Sequence, residues 1–178
     1  MLAVEAAYAA AAGRPTPTGK LGELGAGLAC AAAVASRYLA VGTPRSFAIV
    51  GDGPGARDVL AAHRAWFAPL DIRVARAPRA VARTRTVELG EALAADIVCV
   101  CEPLRIAASE LRRGTHVNAL AAVELDDDLR TLATIVDELR GLPALAAGLV
   151  DGRQLDELTV FLAGEAAIAR HVLCTYSD

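Results

Sequence analysis

The chain opens on two stretches that are apolar almost all round, residues 2–12 and 21–41, separated by a segment rich in glycine and proline. The glycines and prolines between the two stretches cannot continue a helix, so the pattern predicts two separate helices. Apolar character on every side predicts that both are buried. From residue 46 onward the pattern changes to short apolar runs that alternate with amphipathic stretches. This alternation predicts strands and helices in turn.

The short apolar runs and the amphipathic stretches predict a regular succession of elements. Predicted strands cover residues 46–50, 71–76, 84–87, 96–101, 115–120 and 133–138, and predicted helices cover 55–67, 88–95, 103–113 and about 155–176. Strands that alternate with helices of this length require a parallel sheet covered on both faces, because each crossover returns the chain along the other side. We therefore predict an α/β doubly wound sheet with extra N- and C-terminal helices.

The length of 178 residues suits one core rather than two. We divide the chain into N-terminal helices (1–45), the α/β unit (46–150) and a C-terminal helix that packs on the same domain (151–178). A sheet of this size has little surface left to cover the apolar helix at 21–41, and large exposed apolar patches are rare on monomers. The pattern therefore favours self-association, most simply as a two-fold homodimer.

Composition and charge exclude several classes of function. The net charge is −3 with the two signs interspersed, so no basic patch is available to neutralise a nucleic-acid backbone. The longest apolar run, residues 24–36, is shorter than the roughly 20 residues that cross a bilayer. The four cysteines lack metal-site spacing, so no metal is expected. We expect a cytoplasmic protein with reduced thiols and no nucleic-acid or membrane partner.

A glycine-rich turn follows the first predicted strand and precedes the first crossover helix. Gly51, Gly53, Gly55 and Ala56 lie in it, in the pattern GxGxxA. The first glycine allows a tight turn, the second lets backbone approach a pyrophosphate, and the small last residue lets helix pack on strand. The helix N-terminus then offers unpaired N–H groups to an anion. This context is typical of a Rossmann-like dinucleotide site.

The residues after the second predicted strand bear on which dinucleotide would bind. A site for NAD usually carries an acidic residue about 20 positions after the turn, where it accepts hydrogen bonds from the adenosine ribose. Arg76 and Arg79 lie there instead, and the first carboxylate beyond them is Glu88. The arginines favour a 2′-phosphate and make NADP the candidate cofactor. Because the acidic partner is missing, a turn kept only for packing is an equal alternative.

Polar side chains on and after two later strands are further candidates. Glu102 follows the strand at 96–101, where sites in doubly wound sheets open, although a solvated glutamate at a helix start is the commoner case. His116 and Asn118 lie two apart on the next strand and therefore face one side, where a core imidazole is the default interpretation. Cys99 and Cys101 also share a face. Buried structural thiols are favoured for them, because no neighbouring His or Lys would lower the thiol pKa.

Five segments of the chain carry a resemblance to a protein family through their sequences, their order and their spacing. They are SRYLA before the first strand, IVGDGPGARDVL at the turn, ALAADIVCVCEP, LRRGTHVNAL and DELTVFLAGEAAIA. Together they resemble the ornithine cyclodeaminase/mu-crystallin family over about residues 21–176. Members of that family bind a nicotinamide dinucleotide, act on amino or imino acids or serve as binding proteins, and are usually dimers. The resemblance implies a Rossmann-like fold whose last segment is a closing helix.

The departures from that family concern the groups that hold and transform its substrate. The family's substrate and dimerisation domain, with the lysine that polarises the substrate, has no counterpart here. The arginine that holds the substrate carboxylate aligns with Gly27, the glutamine of the turn is Gly55, and no aspartate follows Asn118 at the family's position. A substrate carboxylate needs a bidentate cation, and deamination needs a positioned acid or base. The inherited positions do not supply them in this chain alone.

Three functions are therefore open, and whether the chain is an enzyme is among the questions. The first is a reduced NADP-binding oxidoreductase acting on an amino or imino acid, with Glu102, His116 or Asn118 transferring protons. The second is a catalytically degenerate accessory or scaffold subunit of a larger enzyme. The third is a repurposed enzyme that takes another small-molecule ligand in the old cleft without a dinucleotide.

Overall fold

A computed structural model describes the central part of the chain. The described residues are 23–52, 55–67, 71–77, 83–137, 141–149, 152–153 and 156–163. The predicted helix over 2–12 lies outside them, as does the part of the predicted C-terminal helix beyond 163. The predicted site residues Gly53 and Arg79 also lie outside the described residues.

Seven parallel strands form one sheet in this part of the chain. They are β1 (Ser46–Val50), β2 (Asp71–Ala75), β3 (Arg85–Thr86), β4 (Ile97–Val100), β6 (His116–Ala119), β8 (Ala133–Asp137) and β9 (Leu158–Leu162). Their order in the sheet is β3-β2-β1-β4-β6-β9-β8. Two further short strands, β5 (Leu104–Ile106) and β7 (Val123–Leu125), pair with each other in parallel. The predicted α/β doubly wound class is confirmed.

Helices cover both faces of the sheet. They are α1 (Glu23–Leu39), α2 (Ala56–Trp66), α3 (Leu89–Leu93), α4 (Asp127–Leu132) and α5 (Gly141–Ala146), with a 3₁₀ turn at Ala108–Glu110. Apolar residues of α1, α2 and α5 pack on one face, and those of α3 and α4 pack on the other. None of these helices is long and apolar enough to span a bilayer.

Alternation along each central strand sends side chains to the two faces in turn. In β1, Phe47 and Ile49 belong to the core under α1 and α2, whereas Ala48 and Val50 belong to the core on the opposite face. All four are at most 2% exposed. Burial on both faces explains why these strands are continuous apolar runs in the sequence.

The N-terminal ends of β1 and β4 are tied together by Asp96. Its Oδ2 accepts hydrogen bonds from the backbone N–H groups of Arg45 and Ser46, at 2.7 and 2.9 Å, and from the Ser46 hydroxyl at 3.0 Å. Its other oxygen pairs with Arg112. These bonds hold β1 and β4 side by side at their amino ends.

The prediction of a helix that begins near residue 155 is wrong for residues 158–162. These residues form β9, which is inserted between β6 and β8. Thr159, Val160 and Phe161 are β-branched or aromatic, which suits a pleated strand, and all three are fully buried. The expected closing helix therefore does not describe residues 158–162.

The prediction of a helix over 103–113 is also wrong. Leu104–Ile106 is β5, and the 3₁₀ turn follows it. The reason is a partner that lies far along the chain, since β5 pairs with β7 in register, Leu104 opposite Val123 and Ile106 opposite Leu125. That pairing satisfies backbone groups that a helix would otherwise have satisfied internally.

The apolar helix α1 is covered within the chain. Residues 31–36 are at most 2% exposed, and the helix packs against α2, α5, β6 and β9. The expectation that the rest of the chain has too little surface to bury this helix is therefore wrong. The apolar character of the helix gives no support for a dimer.

We expect Phe161→Ala to lower the free energy of unfolding by about 3–5 kcal/mol, because it leaves a cavity where a fully buried ring had packed. Leu149→Ala is the control, since Leu149 is 78% exposed and its loss should change stability by no more than about 0.5 kcal/mol. Urea unfolding of both variants measures the difference. Equal effects would contradict the placement of β9 in the core.

Candidate functional site

The order of the strands reverses at β1 and β4, which places a crevice outside their carboxyl ends. In open α/β sheets ligands bind at such a point, because the crossovers on its two sides go to opposite faces. Gly51 follows β1, Arg76 follows β2, and Cys101 and Glu102 follow β4. Side chains distant in the sequence therefore meet at one edge of the sheet.

The turn after β1 has the backbone conformation that glycine permits. Gly51 has a φ of 92° and donates a hydrogen bond of 2.9 Å to the carbonyl of Ala75. Gly55, with a φ of 99°, precedes α2 and provides no side-chain cap. The first N–H groups of α2 are thus left to solvent or to an anion. Ala56 is buried at the start of the helix.

A carboxylate lies over this turn. The side chain of Glu102 reaches across Gly51, so that a Cβ added to Gly51 would lie 2.7 Å from its Cγ and 2.9 Å from its Cδ. Glu102 Oε1 is 3.4 Å from Nη1 of Arg76, the residue after β2. The ion pair therefore joins the strands on the two sides of β1.

This ion pair is weak enough for a ligand to displace. The side chains of Arg76 and Glu102 are 49% and 27% exposed. Pairs of this kind contribute about 0–1 kcal/mol, because solvent screens the charges and two long side chains lose freedom. The arrangement is therefore a preferred state and not a permanent barrier over the turn.

The structure brings together only part of the predicted site. Gly51, Gly55, Ala56, Arg76 and Glu102 lie along one edge of the sheet. His116 and Asn118 do not. Both side chains are fully buried on the face of the sheet covered by α1 and α2. His116 is also the first residue of β6, at the end of the strand away from the crevice.

His116 and Asn118 belong to a buried polar network under α1 and α2. Asn118 Nδ2 donates to the Ser36 hydroxyl at 2.9 Å and to the sulfur of Cys99 at 3.3 Å. The hydroxyl of Ser36 donates to Nε2 of His63 at 3.0 Å, while His63 Nδ1 donates to the carbonyl of Val59 at 2.8 Å. Since a carbonyl only accepts, this last bond determines the tautomer of His63.

The other end of the network joins the sheet to the end of α1. The ring nitrogens of His116 contact Thr159 Oγ1 at 2.9 Å and Asn118 Oδ1 at 3.2 Å. Since Asn118 Oδ1 only accepts, the neutral ring carries its proton on Nε2. The single hydroxyl proton of Thr159 is then shared between Nδ1 of His116 and the carbonyl of Leu39 at 2.7 Å. Burial lowers the pKa of His116 to about 3 and that of His63 to about 4. Both rings are therefore neutral at neutral pH.

The two central cysteines are buried thiols, as the sequence favoured. Burial raises the pKa of Cys99 well above its ordinary value, and burial followed by the charge of Glu102 raises the pKa of Cys101 to about 12. A thiol needs a lowered pKa to act as a nucleophile. These two cysteines therefore contribute packing rather than reactivity.

Comparison with known proteins supports the same architecture. The sequence matches no family model and no curated protein. Solved structures do match. They include a pyrroline-2-carboxylate reductase of Thermococcus litoralis with NADH and L-proline (22% identity, TM-score 0.70) and an archaeal alanine dehydrogenase dimer with NAD (20%, 0.67). A third is a probable ornithine cyclodeaminase of Bordetella pertussis (23%, 0.66). The fold is ornithine cyclodeaminase/mu-crystallin-like.

The chain spans less than two-thirds of the length of the proteins it matches. The alignments cover 86%, 86% and 87% of it, but only 64%, 62% and 65% of the reductase, the dehydrogenase and the cyclodeaminase. The likeness therefore concerns the sheet and its helices, and the crevice has to be interpreted from its own residues.

The sequence analysis does not predict two of these sets of contacts, the buried polar network and the ion pair over the turn. Ser36, His63 and Thr159 were not recognised as partners of His116 and Asn118, although a polar residue inside an apolar run, as at Ser36, was an available signal. The contact between Arg76 and Glu102 left no signal, because these residues are 26 positions apart and belong to different strands.

We expect the free energy of unfolding to fall as pH is lowered from about 7 to about 5. In the unfolded chain a histidine titrates near 6.5, whereas His63 and His116 take up protons in the folded chain only near 4 and 3. The unfolded state therefore binds more protons in this window, which costs up to about 1.4 kcal/mol per pH unit and histidine.

Urea unfolding across that window measures the effect. His63→Gln should reduce the slope of stability against pH by the contribution of one histidine, whatever its effect on stability at pH 7. A slope identical to that of the unmodified protein would contradict the neutral, buried state of His63.

Proposed function

We propose that the chain binds a nicotinamide dinucleotide in the crevice outside β1 and β4, and that it takes part in redox chemistry on an amino or imino acid. One observation carries the proposal. Gly51 turns the chain through a left-handed conformation at the end of β1, where the strand order reverses, and leads into an uncapped helix. The NAD and NADH named for the matching structures support the same class of ligand.

The residues at the crevice fit such a cofactor. The backbone N–H groups of Gly55 and of the first turn of α2 would hold the pyrophosphate, because they are neutral donors at a helix N-terminus. Gly51, whose own N–H bonds to Ala75, would provide the turn that leads to them. Arg76, half-exposed at the end of β2, supports the NADP predicted from the sequence, whereas its partner Glu102 opposes a further anion. When bound, the cofactor supplies hydride transfer.

Among the predicted catalytic groups, we assign contact with the ligand to Glu102 alone, and the position of its side chain over Gly51 supports this assignment. In this proposal His116 and Asn118 act indirectly, by holding α1 and α2 on the sheet through the buried network. The substrate class, an amino or imino acid, is supported by the L-proline, alanine and ornithine named for the matching enzymes.

A cofactor-free use of the crevice is the second candidate, and one observation favours it. The Glu102 side chain lies against Gly51, where a dinucleotide would have to approach, and Asp52 adds an exposed carboxylate to the same turn. A chain that had lost its dinucleotide could serve as an accessory subunit of a larger enzyme or bind another small molecule.

We expect calorimetric titration with NADH and NADPH to show micromolar binding of at least one of them. Gly51→Ala should weaken that binding by about tenfold or more, because the added Cβ enters the turn at a positive φ and meets Glu102. Gly90→Ala is the matched control, since a Cβ there meets nothing within 4 Å. No response to millimolar amounts of either dinucleotide would favour the cofactor-free candidate.

We also propose that the chain forms a homodimer, supported by the dimer named for the alanine dehydrogenase structure. Light scattering on the purified full chain should then give about twice the mass of 18.4 kDa. A mass of one chain over a wide range of concentration would contradict the proposal. Co-purification with a larger protein would instead support the accessory role.

A further inference from the structure

A dinucleotide site has a requirement that the sequence of β2 does not meet. The adenosine ribose of NAD lies beside the first glycine of the turn, and a carboxylate there accepts hydrogen bonds from its 2′-hydroxyl. That carboxylate usually comes from the end of the second strand. In this chain the end of β2 carries Arg76, a cation that would instead attract a 2′-phosphate.

The structure places a carboxylate at the same location from another strand. Glu102 follows β4, on the opposite side of β1 from β2, and its side chain crosses over Gly51. Its Oε1 lies 3.4 Å from Nη1 of Arg76. The carboxylate is therefore beside the first glycine of the turn and beside the end of β2, where the ribose hydroxyls would lie.

The same contact alters what Arg76 can do. Its guanidinium already has an anionic partner, so an incoming 2′-phosphate would have to displace the carboxylate of Glu102 and would be repelled by its negative charge. The exposed carboxylate of Asp52, in the turn itself, adds to that charge. Like charges placed against a competing ligand are an effective source of specificity.

We propose that Glu102 is the residue that determines cofactor selectivity. It supplies from β4 the ribose-binding carboxylate that β2 lacks, and it directs the site to NAD(H) over NADP(H). This inference rests on the proposed function, and it reverses the preference that Arg76 alone predicts.

The test is the ratio of the dissociation constants for NADPH and NADH, measured by calorimetry on the full chain. The unmodified protein should bind NADH at least about tenfold more tightly. Glu102→Gln keeps the size of the side chain, removes its charge and frees Arg76, so it should lower the ratio by about tenfold or more. Energy transfer from Trp66, the only tryptophan, to the bound nicotinamide gives a second readout.

Glu124→Gln is the matched control. Glu124 is an exposed carboxylate of β7 that pairs with Arg105 at 3.8 Å, so the same substitution there should leave the ratio unchanged. Arg76→Gln is a second test that keeps Glu102 in place. It should weaken NADPH further while changing the affinity for NADH by no more than about threefold.

The outcomes separate the two proposals. Binding of both dinucleotides with a ratio that Glu102→Gln does not change, or a preference of the unmodified protein for NADPH, would overturn the role of Glu102 and leave the proposed function intact. Absence of binding by the unmodified protein would overturn both. If Glu102→Gln fails to fold, as judged by circular dichroism, the ratio in the unmodified protein decides: NADH bound at least about tenfold more tightly supports the proposal, and equal or tighter binding of NADPH overturns it.

Discussion

The position of the first crossover helix depends on the hydrogen bonds of His63. Its ring is fully buried between α1 and the sheet, with one nitrogen bonded to its own helix and the other to Ser36 of α1. A buried polar atom without a partner would cost about 1–3 kcal/mol, and among the described residues every such side-chain atom has one. A shift of the helix along the sheet would break the bond between His63 and Ser36, so this bond favours the observed position of the helix and of the turn that precedes it.

The crevice above that turn is a consequence of topology. β2 and β4 lie on either side of β1, so residues that follow all three strands meet at one edge. Arg76 and Glu102 come together there because the sheet brings its carboxyl ends into line, and no local pattern in either segment encodes the contact. A charged residue that follows β4 can in this way lie next to a residue that follows β2.

The likeness to the reductase, the dehydrogenase and the cyclodeaminase concerns the fold. The chain spans less than two-thirds of the length of those proteins. A fold of this kind hosts many functions, and the site decides among them. Here Glu102 and Arg76, from the strands on the two sides of β1, lie beside Gly51.

The sequence by itself determined the elements whose signals are local. β1, the glycine turn, α2 and the central strands β4 and β6 were predictable, because strands buried on both faces are apolar runs and a left-handed turn requires glycine. The strand at Leu158–Leu162, the pairing of β5 with β7, and the burial of α1 were decided by partners distant along the chain. The same holds for the site: Gly51 could be identified from its neighbours, but the meeting of Arg76 and Glu102 exists only once the parallel strands are ordered in space.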